Sequence, residues 1–117
     1  MFFKKLILVV IILICTGCAS TGIAPSVSGT ASASVYEKGK KLYLAKNYDA
    51  AKEYFHDFLA QSPEEPLKTI AMYQLGFCYQ MTGDLKEARA FYHRIVTEGT
   101  GDEFWIGVTR RRLEEME

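Results

Sequence analysis

The sequence predicts an all-α chain: two helical hairpins stacked as an α-solenoid and closed by a C-terminal capping helix, preceded by a signal peptide and a flexible tether. Three observations predict it. The chain matches itself at a shift of 37 residues, with Tyr36 on Tyr73, Gly39 on Gly76, Ala51 on Ala88 and His56 on His93. The apolar matches, among them Leu42/Tyr79, Phe55/Tyr92, Phe58/Ile95 and Leu59/Val96, recur at spacings of three and four, a helix period. Turn-forming pairs, Lys46-Asn47, Ser62-Pro63 and Gly83-Asp84, fall where such helices must reverse.

The first element is an address. Met1–Lys5 is short and basic, and Leu6–Ile14 (LILVVIILI) is an unbroken apolar run. A basic start, an apolar stretch and small residues at a cleavage point describe a secretory signal. The run is shorter than the roughly 20 apolar residues that span a bilayer. An uncleaved anchor and an ordinary secretory signal are the alternative readings. Cys15-Thr16-Gly17-Cys18 resembles the lipobox of bacterial lipoproteins, with Cys15 standing where that family prefers Leu. The resemblance implies a lipoprotein signal peptide at 1–17, cut before a lipidated Cys18. It further implies a triacylated N-terminus, and more than one chain is what makes an anchor stable. Ala19 rather than Asp after the Cys resembles outer-membrane sorting in Gram-negative species, so the expected location is the bacterial cell envelope, at the periplasmic face of the outer membrane.

Residues 18–34 form the second element. Ala19–Ser34 (ASTGIAPSVSGTASAS) has no charge, no aromatic and no periodicity. Such a segment reads as a flexible linker with an r.m.s. reach of roughly 20–25 Å. A helical extension packed on the domain is the alternative.

The folding domain is expected at 35–117. In the first hairpin, Ala51, Phe55, Phe58 and Leu59 make the stripe of the second helix, and Pro63 ends it by disfavouring helix at the residue before. In the second hairpin, Pro66 suits a first helical position, and Met72, Leu75, Gly76 and Tyr79 form the stripe. Gly83 is placed to stop that helix at positive φ. Asp84 is expected to cap the next one, with Glu87 completing a capping-box-like pair. Ala88, Tyr92, Ile95 and Val96 follow as its stripe.

These spacings resemble the tetratricopeptide repeat (TPR) signature. Copy two supplies Met72, Leu75-Gly76, Tyr79, Gly83-Asp84, Ala88, Tyr92 and Ile95; copy one supplies Val35, Gly39, Leu42, Tyr48, Ala51, Phe55, Phe58 and Pro63. Lys38 stands where Leu is expected and Thr100 where Pro is. The period exceeds the usual 34 because the loop Ser62–Pro66 reads as longer. With the lipobox, the pattern resembles envelope TPR lipoproteins of the β-barrel assembly and Tol–Pal coordinator type. The last segment, Asp102–Glu117, reads as one more helix with Ile106, Thr109, Leu113 and Met116 on one face. It resembles the solvating helix that ends TPR arrays. Two repeats and a cap are fewer than the three such arrays usually need, so the module is expected to lean on a partner or on itself.

Nothing in the sequence equips the chain for catalysis. Removing residues 1–17 takes Lys4 and Lys5 and leaves 12 basic against 14 acidic side chains, a net charge of −2. That balance gives no electrostatic footprint for nucleic acid. Cys78 reads as a small buried hydrophobe, with no base or orienting group indicated for a nucleophile. His56 and His93 occupy one duplicated surface position, without metal-ligand spacing. No phosphate loop occurs. Arg110-Arg111-Arg112 reads as a solvated face near a helix C-terminus, where cations are favoured. No enzyme, cofactor or metal is expected.

The TPR resemblance implies that the first helix of each hairpin lines a concave groove. Carried over, the partner-binding positions are Tyr36, Lys40 and Tyr43 from copy one, and Ile70, Tyr73, Phe77, Gln80 and Met81 from copy two. Tyr and other aromatics are favoured interface anchors. The expected function is a lipid-anchored adaptor or scaffold that binds envelope proteins. The alternatives are that Asp102–Met116 covers the copy-two part of the groove, or that the chain is a structural subunit self-associating through its repeat ends without a separate client.

Overall fold

The computed structural model describes residues 27–117, with side-chain surroundings from residue 31. The expected signal peptide, Cys18 and the tether up to residue 26 lie outside the described residues. Five helices follow in order: α1 Val27–Leu44, α2 Tyr48–Ala60, α3 Leu67–Met81, α4 Leu85–Glu98 and α5 Glu103–Glu115. Helices α1 and α2 form one hairpin, α3 and α4 the next, and α5 closes the row against α4. The described residues are the expected all-α repeat.

One boundary differs. Helix α1 starts at Val27, so residues 27–34, expected in the tether, are helical. Once Val35 and Tyr36 are fixed against the core, each residue added upstream gains a hydrogen bond without a new nucleation cost. Ala31 and Ala33 favour this, and Ser32 and Ala33 border a cleft shared with Phe58 and the loop Pro63–Leu67.

The reversals follow from their residues. Lys46 takes φ 62° after α1, and Asn47 Oδ1 then accepts from Ala50 N at the start of α2. The connection from α2 to α3 is the long one, as the 37-residue period requires. There the Glu65 carboxylate accepts from Thr69 N at 3.2 Å and from the Thr69 hydroxyl at 2.7 Å, satisfying donors of the first turn of α3. Gly83 at φ 90° ends α3, and Gly99 at φ 60° ends α4. Asp84 stands at the cap position of α4 but makes no side-chain capping bond there. Its carboxylate lies instead 3.8 Å from Lys52 Nζ, so a charge on the neighbouring hairpin has taken the acceptor that the capping box would use. At α5, Asp102 Oδ1 accepts from Phe104 N at 2.8 Å.

Small residues set the helix spacing. A Cβ on Gly39 would lie 3.1 Å from Tyr54 Cβ, and one on Gly76 would lie 2.7 Å from the Tyr92 ring. Ala51 and Ala88 are fully buried at the matching positions. Two core clusters result. One gathers Tyr36, Phe55, Phe58, Leu75 and Cys78 between the hairpins. The other gathers Met72, Tyr73, Tyr92, Ile95 and Leu113 between α3, α4 and α5.

The repeats also share a polar device. Lys52 donates to the hydroxyl of Thr82, the residue that caps the C-terminus of α3, at 3.1 Å. Its repeat equivalent, Arg89, donates to the carbonyl of Met116, which caps α5. In both copies a cation on the second helix holds the C-terminal end of the next first-type helix, where the helix dipole favours positive charge. Helix α5 is thus docked as the opening helix of a further repeat. Its outward residues Gly107, Arg110, Arg111 and Glu114 are exposed or half-buried, so it ends the array in a polar face.

Candidate functional site

Helices α1, α3 and α5 share the inner side of the array, and a row of rings and one guanidinium crosses them. Tyr43 on α1 meets Phe77 on α3 edge-on, with centroids 5.7 Å apart, and Tyr48 flanks both at 6.0 and 5.9 Å. Arg112 on α5 lies over the Phe77 ring at 5.2 Å and donates to the Tyr73 hydroxyl at 3.2 Å. Tyr43, Phe77 and Arg112 are half-buried. The sequence places the α5 members there by helical spacing: Trp105, Val108 and Arg112 recur at three and four along α5 and face α3.

Of the eight expected groove residues, two are buried in the core and six are half-buried or exposed. Tyr36 is a core residue, 6% exposed, with its ring 5.1 Å from Phe58 and 6.1 Å from Phe55. Tyr73, 7% exposed, is roofed by α5, with Trp105 at 5.2 Å and Tyr92 beneath at 5.7 Å. Both are withdrawn because a ring at that helix position reaches the neighbouring second-type helix and buries more apolar area there than it would in the groove. At Tyr73, then, α5 packs against the ring through Trp105. Lys40, Tyr43, Ile70, Phe77 and Gln80 remain half-buried, and Met81 is 52% exposed. Gln80 has a structural task as well, accepting from the Tyr92 hydroxyl at 3.0 Å.

Arg112 is the member of the row that sequence reasoning left on a solvated face. Its run of three arginines hid it; the signal was its place seven residues after Trp105 on one helix stripe. Burial works against its charge, but the bond to Tyr73 and the nearby Tyr73 and Tyr92 hydroxyls and Glu115 carboxylate outweigh that and hold its pKa above the usual Arg value. No carboxylate lies within ion-pair distance of it among the described residues. Burial also pushes the Tyr43 hydroxyl up to about 12, so it stays a neutral donor at neutral pH.

The other chemical candidates are structural. Cys78 is fully buried, and burial pushes its thiol up to about 12. Its sulfur is therefore a packed thiol at neutral pH, without the thiolate character a nucleophile needs. His56 shares a 2.7 Å hydrogen bond with the Tyr79 hydroxyl and packs edge-on against Tyr79 and Phe91, tying α2 to the second hairpin. Its repeat partner His93 is exposed. Among the described residues, no group of three or more His, Cys, Asp or Glu is placed to hold a metal ion, and no helix is long and apolar enough to cross a membrane.

Paired helices locked by small residues, with a side-chain row on the inner side, define a helical-repeat interaction scaffold. The family model for the tetratricopeptide repeat matches residues 42–105, more than half of the chain, and the protein belongs to the tetratricopeptide repeat family. No curated protein and no solved structure matches it.

Proposed function

We propose that the protein is a lipid-anchored adaptor of the bacterial cell envelope, tethered through Cys18 and gripping a protein partner with its inner side. Tetratricopeptide repeats are protein–protein interaction modules, which supports the general role. The observation that carries the site is the Tyr43–Phe77–Arg112 row: half-buried rings and a guanidinium that forms no ion pair among the described residues, on the inner side of the array. Rigid rings with an Arg are the residue types that anchor interfaces, because they bury much area at little entropy cost. The envelope address is supported by residues 1–17 and the lipobox-like Cys15-Thr16-Gly17-Cys18.

A photocrosslinking residue at Met81 of the full chain in cells tests the site, with adducts identified by mass spectrometry. A discrete protein adduct is expected, and Tyr43→Ala with Phe77→Ala should remove it while leaving the helical circular dichroism intact. An adduct that survives the double substitution overturns the assignment.

A further inference from the structure

The first hairpin carries lysines where the second carries core. At the repeat shift of 37 residues, Lys38 and Lys41 match Leu75 and Cys78, which are fully buried in the cluster between the hairpins. Both lysines are exposed, and neither forms an ion pair among the described residues. With Leu42, Ala45 and Tyr54 they line an open dent on the outer side of the hairpin. In the second hairpin the residues matching Leu42 and Tyr54 are Tyr79 and Phe91, and these are covered by Lys52 and His56 of α2.

The charge on this face has one sign. An exposed stripe runs along α1 through Ala31, Ser34, Lys38, Lys41 and Ala45, at spacings of three and four, without an acidic residue. The one acidic residue of α1, Glu37, lies off the stripe and pairs with Lys40 at 3.7 Å. No carboxylate lines the dent. The acidic Glu53 and Asp57 of α2 match Ala90 and Arg94, which stay exposed although the face beside them is covered, so these positions point away from it. The other end of the array differs, since α5 turns out Glu103, Arg110, Arg111 and Glu114 together. Solubility alone is served by either sign or by both, as at α5; the α1 face offers only cations around an apolar centre.

We infer that the outer face of α1 lies on an anionic phospholipid surface, with Lys38 and Lys41 at headgroup phosphates and Leu42, Ala45 and Tyr54 against the interface. Anionic leaflets attract basic segments close to them. Lysine stems lie along apolar surface while their ammonium groups reach the phosphates, and a Tyr ring suits the membrane–water boundary. The inference rests on the membrane-anchored reading. The nine residues from Cys18 to Val27 extend at most about 30 Å, so an anchored α1 stays within reach of the headgroups. Residues two apart on a helix face nearly opposite ways. With Lys38 and Lys41 on the lipid, Lys40 and Tyr43 therefore face away from it, and the inner side is presented to a partner. An acyl anchor alone fixes distance; an anchor with a basic face also fixes orientation.

The test places the full chain in nanodiscs of phosphatidylcholine alone or of an equal mixture with phosphatidylglycerol. A photocrosslinking residue replaces Ala45, or Arg110 on the outer face of α5 as the control, and adducts are read by mass spectrometry. A lipid adduct at position 45 is expected in the anionic discs, several-fold above the neutral discs and above position 110. Lys38→Gln with Lys41→Gln should reduce it to the neutral-disc level with the helical circular dichroism unchanged, and Lys38→Arg with Lys41→Arg should keep it. Raising the salt from about 0.1 M to about 1 M shortens the screening length from about 10 Å to about 3 Å and should also remove it. Equal yields in the two discs, a yield untouched by the Gln pair, or a protein adduct at position 45 in place of the lipid overturns the inference. Co-elution with the discs reads the anchor separately. A chain that enters both discs without the adduct overturns the docking face and leaves the anchor standing, whereas one absent from the neutral discs overturns the anchor and the inference with it.

Discussion

Gly76 shows how much of this structure rests on the absence of one methyl group. Elsewhere in a helix, replacing Gly by Ala stabilises by about 0.5–1 kcal/mol. Here the new Cβ would sit 2.7 Å from a ring of Tyr92 that is itself fully buried. Overpacking of that kind costs about 1–3 kcal/mol and outweighs the propensity gain. Gly76→Ala should lower the denaturation midpoint, whereas Gly107→Ala, which meets open space, should raise it. Cys78 yields a prediction in pH. Its thiol ionises near 9.0 when unfolded and at about 12 when folded. Between those values the unfolded chain has lost a proton that the folded chain keeps, so stability is complete below pH 9 and falls as pH rises. The slope approaches about 1.4 kcal/mol per pH unit within the window. Urea titrations at about pH 8, 9.5 and 10.5 check it: a midpoint that falls between the last two in the parent chain but less in Cys78→Ala is expected. A thiol-specific reagent should find Cys78 unreactive at about pH 8 without denaturant.

The helices differ in what fixes them. Each second-type helix takes its position from a small residue facing the first, from an apolar stripe, and from a cation that reaches the end of the next helix. These are repeat properties, and the self-match shows them in the sequence. Helix α5 has no second copy to match. Its docking is decided by the buried Thr109 and Leu113, by Trp105 and Arg112 roofing Tyr73, and by Arg89 holding its C-terminus. Deleting residues 103–117 should therefore cost more than the loss of a solvating helix. It uncovers Tyr73 and Ile95 together and removes Leu113, at about 2–5 kcal/mol per large side chain left without its neighbours. The shortened chain should lose cooperative thermal unfolding by circular dichroism. A melt unchanged by the deletion would show that the second hairpin completes its own core.

For the molecule as a whole, the proposed adaptor role depends on where the chain is held. Cys18→Ser should abolish incorporation of labelled fatty acid in cells and release the protein from the membrane fraction; retention of label would contradict the anchor. The helical start at Val27 also leaves fewer residues between Cys18 and the first helix than the sequence suggested. An anchored module would then sit within about 30 Å of the bilayer, the extended reach of about nine residues.

By itself the sequence determined the helical repeat, the places where helices reverse, and most of the core, because period, small-residue spacing and turn chemistry are local signals written twice. Phe55, Phe58, Leu75, Ala88 and Tyr92 could be assigned to the interior on that basis, and the tetratricopeptide repeat assignment followed from them. Tertiary structure alone decided which inner rings stayed open. Tyr36 and Tyr73 fit a groove-lining stripe as well as Tyr43 and Phe77 do, and only the packing of Phe58 on one and Trp105 on the other removed them from it. The diversion of Asp84 from its cap to Lys52 and the recruitment of Arg112 onto Phe77 have the same origin. Each depends on a partner that is distant along the chain and near in space, and no spacing rule within one helix records that proximity.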